Sequence, residues 1–105
     1  MQELTYTREF QPTVNDPACA AVLAAAASAV LGNDQVNADC PPITASEDFG
    51  IFARAVPGCF AFIGNGATGH VGGNPLHSRD YDFNDNVLPV GVALYTRLVQ
   101  ERLPA

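Results

Sequence analysis

The chemistry legible in this chain centres on ten residues, Leu76-His77-Ser78-Arg79-Asp80-Tyr81-Asp82-Phe83-Asn84-Asp85, which hold one of its two histidines. A neutral imidazole at the end of a loop, with carboxylates and a hydroxyl near enough to orient its second nitrogen, is a common way to present a metal ligand. Two acidic clusters, Glu47-Asp48 and Asp80-Tyr81-Asp82, offer different chemistry. Paired carboxylates can divide acid and base roles, although two acids opening a helix ordinarily just complement its dipole. The serines supply no evident nucleophile: Ser28, Ser46 and Ser78 lie in no GxSxG turn, and adjacency of Ser78 to His77 does not make a dyad. The glycines of Gly64-Asn65-Gly66 and Gly72-Gly73 lack the lysine and the promptly following helix of a phosphate loop. His70 and His77, seven residues apart, match no common zinc spacing, and a catalytic zinc takes about three protein ligands. The chain therefore offers one good ligand and needs others to complete a site. A small metal-binding protein built on His70, His77 and neighbouring carboxylates is the weaker alternative.

Composition narrows the partners. With 105 residues the chain is one domain at most, and 48% apolar residues favour a folded core over disorder. Eleven acidic against five basic side chains argue against nucleic acid and anionic membrane surfaces, both of which need a cationic face. No N-terminal segment joins positive charge to an apolar run, so no signal peptide is expected. The uncharged stretch from Pro17 to Leu31 would span about 22 Å as a helix, short of the roughly 30 Å of a bilayer core. Cys19, Cys40 and Cys59 form neither a CxxC pair nor an even set, which suits reduced, buried thiols in a cytoplasm.

The elements that would position these groups can be read in order. Residues 3–10 are rich in strand formers and suggest a short strand. Asn15-Asp16-Pro17 is a helix start, with Asp16 as N-cap and Pro17 in the first turn, and the alanine-rich helix should stop at Gly32. This helix carries no charge on any face, which hints at cover from elsewhere. Residues 35–39 suggest another strand, and Ser46 is placed to cap a short second helix whose first turn holds Glu47 and Asp48. The continuous apolar run Cys59-Phe60-Ala61-Phe62-Ile63-Gly64 has the pattern of a strand buried on both faces. Five glycines in residues 64–76 make a mobile loop that delivers His77. A last helix starts near residues 84–86 and reaches about 103, with Val87, Val90, Leu94 and Leu98 facing the sheet and Arg97, Glu101 and Arg102 facing water.

Taken together, Pro12-Thr13-Val14-Asn15-Asp16, Ala45-Ser46-Glu47-Asp48-Phe49, Val56-Pro57-Gly58-Cys59-Phe60-Ala61-Phe62-Ile63-Gly64, Leu76-His77-Ser78 and Phe83-Asn84-Asp85 resemble the C-terminal end of a known family. It is the hippurate hydrolase, aminoacylase and indole-acetyl-amino-acid hydrolase group of metal-dependent amidohydrolases. The resemblance covers nearly the whole chain. It implies an α/β fold, a partial α/β/α sandwich with a mixed sheet that closes a zinc-peptidase-like catalytic domain. Residues 1–10 would be the end of a dimerisation-type insert and residues 11–105 the C-terminal portion of the catalytic domain. His77 matches the family's C-terminal metal ligand. Ala45, Ser46, Glu47 and Asp48 match a segment close to bound substrate, where a supporting role for the two acids is expected rather than direct metal binding. The family usually has glycine where Ala45 stands, and a methyl there would reshape the site.

The same resemblance implies a divalent metal such as zinc or manganese, which this chain alone is not expected to retain, and an N-acyl amino acid substrate in the intact enzyme. The family's other ligands and its general base lie upstream of the matching segment. The expectation is therefore a C-terminal fragment of a metal-dependent N-acyl-amino-acid amidohydrolase, cytoplasmic and inactive by itself. The alternative is a non-enzymatic α/β module that self-associates, or that docks on an N-terminal partner chain, to cover its uncharged helix and open sheet edge.

Overall fold

Helix α1 spans Pro17–Leu31 and is built from purely local signals. The Asp16 carboxylate accepts from the Cys19 backbone N–H at 2.9 Å, proline occupies the first turn, and Gly32 ends the helix at φ +90°. Helix α2 spans Phe49–Ala55, and α3 spans Leu88–Arg102 after a 3-10 turn at Asp85–Val87. This computed structural model describes residues 3–103. The Asn84 side chain accepts from Asn86 N–H and opens the turn that leads into α3.

The expected mixed sheet is not formed: the described residues are helical, with a further 3-10 turn at Asn33–Gln35, and contain no strand. The α/β/α sandwich reading is corrected accordingly. All three expected strands fail for one physical reason. An extended run becomes a strand only when a second backbone supplies ladder bonds, and none does so among the described residues. The described part of the expected first strand is exposed throughout, with Leu4 at 94%. Residues 36–39 follow the 3-10 turn and close with an Asp39 N–H bond to the Asn37 side chain at 3.0 Å. In the 59–64 run, Cys59 and Phe60 are half-buried while Ala61, Phe62, Ile63 and Gly64 are exposed.

What holds that run in place is a side chain imitating a strand. Asn15 donates to the Phe60 carbonyl at 2.8 Å and accepts from the Phe60 N–H at 2.8 Å, and Asp16 N–H bonds the Gly58 carbonyl at 2.9 Å. A ladder of aromatic rings extends the tie to α2, with Phe49 5.5 Å from Phe60 and Phe60 5.3 Å from Phe62. Gly50 in α2 lies so close to the carbonyls of Gln11 and Pro12 that a Cβ would sit 2.7 Å from the first.

Helix α3 packs on α1 rather than on a sheet. Val87, Val90, Leu94 and Leu98 are half-buried, as their spacing predicts, and Arg97 pairs with Glu101 on the exposed side. Unexpectedly, Leu88, Val92, Tyr95 and Val99 form a second apolar stripe along α3 and are all exposed. Ala26 is the only fully buried apolar side chain among the described residues. The accessible surface is 8987 Å², whereas a folded monomer of 11.1 kDa exposes about 5,700 Å².

Candidate functional site

His77 stands at the third position of a tight turn closed by Ser78 N–H to the Pro75 carbonyl at 3.1 Å. Its φ is +67°, making it the one non-glycine residue with positive φ among those described. That position of a turn ordinarily takes glycine or asparagine, because a Cβ crowds the backbone there. A histidine in this conformation costs on the order of 1 kcal/mol, and such strain gathers at functional sites. The imidazole is exposed.

The turn is held by asparagines. Asn65 donates to the carbonyls of Gly72 (3.0 Å) and Asp82 (2.9 Å) and accepts from Asn84 N–H (2.9 Å), while the Asn84 amide returns a bond to the Asn65 carbonyl at 3.0 Å. Asn74 donates to the Asp80 carbonyl at 2.7 Å, and Asp80 N–H bonds the Ser78 hydroxyl at 3.2 Å. The loop expected to be mobile is thus cross-tied on both sides of His77. Its glycines permit the close passage: a Cβ on Gly66 would lie 2.1 Å from the Val71 carbonyl oxygen. Sequence reasoning missed Asn65, although a lone asparagine between two glycines was the available signal.

The second group of candidates is organised by Glu47. Its carboxylate accepts from the N–H groups of Asp48 (2.8 Å) and Phe49 (3.3 Å), so the acids precede α2 instead of filling its first turn. Ser46, expected as the cap, plays no such part; Asp48 is the N-cap residue, without a side-chain bond. Ala45, Ser46 and Asp48 are exposed and Glu47 is half-buried. No hydrogen bond or ion pair joins these four residues to His77 among the described residues, and His70 is exposed in a separate turn closed on Ala67. No group of three or more His, Cys, Asp or Glu side chains converges as a metal cage among the described residues. His77 therefore stands outside any such cluster among the described residues. Cys40 is exposed, against the expectation of three buried thiols, while Cys19 and Cys59 are half-buried.

The sequence profile of peptidase family M20/M25/M40 matches residues 2–101. This chain belongs to that family. Members of the family are generally metal-dependent. It is 30% identical to IAA-amino acid hydrolase ILR1-like 4 of Arabidopsis thaliana over 94 residues, which is 90% of this chain and 21% of the relative. IAA-amino acid hydrolase ILR1-like 5 of the same plant is 30% identical over 97 residues, 92% of this chain and 22% of the relative. A putative glutamate--cysteine ligase 2-3 of Rhodococcus jostii (strain RHA1) is 40% identical over 62 residues, 59% of this chain and 8% of the relative. The M20 chain spans about a fifth of the length of the first two relatives. No solved structure matches it. No helix among the described residues is long and apolar enough to cross a membrane.

Proposed function

We propose that this M20 chain is the C-terminal part of a metal-dependent N-acyl-amino-acid amidohydrolase, similar to hippurate hydrolases, and that it contributes one metal ligand, His77. In this reading residues 11–105 close the catalytic domain and residues 1–10 end a dimerisation insert. Ala45, Ser46, Glu47 and Asp48 lie near the substrate. The observation that carries the reading is His77 itself: an exposed imidazole, held in a strained left-handed turn by a cross-tied loop, within a chain that belongs to a metal-dependent family. With one ligand and no companion donors among the described residues, the chain by itself has no means to activate water, since the base and the remaining ligands must come from elsewhere. The 105-residue chain should release no benzoate from hippurate at any added concentration of zinc or manganese. Chelator-sensitive hydrolysis that disappears in His77→Ala would overturn the inactivity.

A second reading, a non-enzymatic interaction module, is favoured by the exposed stripe Leu88, Val92, Tyr95 and Val99 and by the excess accessible surface. It expects self-association, or association with an N-terminal partner chain, without hydrolysis. Size-exclusion chromatography giving a monodisperse monomer that binds no apolar dye would remove it.

A further inference from the structure

Cys19 and Cys59 are forty residues apart in the chain, yet both line one cleft of about 260 Å³ together with Val22, Leu98 and Arg102. The backbone makes this juxtaposition firm. Asp16 N–H bonds the Gly58 carbonyl at 2.9 Å, and the Asn15 amide grips both sides of the Phe60 peptide, so residues 15–16 bracket Cys59. Cys19 lies one helical turn beyond Asp16, with its N–H on the Asp16 carboxylate at 2.9 Å. Both thiols are half-buried, whereas Cys40 is exposed and apart.

We propose that Cys19 and Cys59 form a reversible intramolecular disulfide, a redox-sensitive latch between the first turn of α1 and the 59–64 run. With glutathione disulfide as oxidant the step balances. One cysteine thiolate attacks a glutathione sulfur, breaking that S–S bond and expelling one glutathione thiolate. The other cysteine thiolate then attacks the protein sulfur of the mixed disulfide and expels the second. Two electrons pass from the cysteine pair to the oxidant, and the two thiol protons end on the released glutathione.

Supporting this geometry, burial pushes both thiols up. The Asp16 carboxylate adds to the effect at Cys19, the nearby Cys19 adds to it at Cys59, and the Arg102 charge pulls Cys19 partly back. Thiols kept protonated in this way exchange slowly with solvent oxidants, while both line the same cleft. Closing the latch would also enclose α2 and the Glu47-Asp48 segment within a covalent loop.

The test uses the full chain carrying Cys40→Ser, equilibrated in glutathione buffers of fixed poise, acid-quenched and read by mass spectrometry and peptide mapping. The disulfide-to-dithiol ratio should be at least about tenfold higher in native buffer than in concentrated urea, because the fold raises the effective concentration of one thiol at the other. Cys19→Ser and Cys59→Ser should then yield only mixed glutathione adducts. A native ratio less than tenfold above the urea value overturns the latch, as does a product dominated by adducts on both cysteines or by disulfide-linked pairs of chains.

Discussion

At the scale of single residues, His77 carries the clearest conflict between local energetics and residue choice. If its φ of +67° is imposed by the turn, the energy should follow the size of the β-substituent rather than the imidazole. His77→Gly should leave stability unchanged or slightly higher, while His77→Val should be about 1–2 kcal/mol less stable than His77→Gly, as judged by urea denaturation. Equal stabilities for the two variants would mean that the turn relaxes and stores no strain. Asn65 makes the complementary case. Its side chain makes three hydrogen bonds, to Gly72, Asp82 and Asn84, and each partner is backbone. Asn65→Ala should cost about 1–3 kcal/mol and speed amide exchange at Asn84, whose N–H loses its acceptor. The sequence singles out position 77 through the family resemblance alone; its left-handed backbone was not legible, since glycine and asparagine are the residues that usually mark such a φ and position 77 is neither.

Elements were legible in proportion to how locally they are specified. The bounds of α1 follow from Asp16, Pro17 and Gly32, and the inner stripe of α3 follows from the spacing of Val90, Leu94 and Leu98. The start of α2 was misplaced because Glu47, rather than Ser46, takes up the neighbouring N–H groups. Strands fared worse because pairing is a long-range property. Cys59-Phe60-Ala61-Phe62-Ile63-Gly64 has strand composition but no backbone to pair with among the described residues, and Asn15 partly fills that role. The cap of α1 also sets a pH dependence. The Cys19 N–H bond holds the Asp16 carboxyl below its ordinary value of 3.8. A carboxylate whose folded pKa is depressed adds stability above its unfolded pKa, and that contribution is lost as pH falls through the folded value. Helical circular dichroism of the chain should therefore fall as the pH drops from 3.8 downward. Asp16→Asn, which keeps an accepting oxygen without a titrating group, should flatten that limb. An identical acid limb in the variant would assign the loss to other carboxylates.

For the molecule as a whole, area decides. The radius of gyration is 17.0 Å, against about 13 Å for a compact domain of this length. The surplus surface includes apolar side chains on two helices, Ile51 and Phe52 on α2 and the outer stripe of α3. A helix apolar on both sides is suited to burial between two layers. In this chain α1 covers one side of α3 and the other is open. The first two relatives are about four times as long as this chain. If the outer stripe is a contact surface, charge placed on it should separate association from folding. Val92 and Val99 are 66% and 55% exposed, so Val92→Lys with Val99→Lys should change the stability of the isolated chain by no more than about 1 kcal/mol. The unmodified chain should sediment as a concentration-dependent mixture of monomer and larger species, and the double variant as monomer throughout, because two ammonium groups cannot be desolvated against an apolar partner without large cost. A monomeric unmodified chain would mean that the stripe does not drive self-association. A double variant that associates as strongly as its parent would place the contact on another face, with α2 as the next surface to charge.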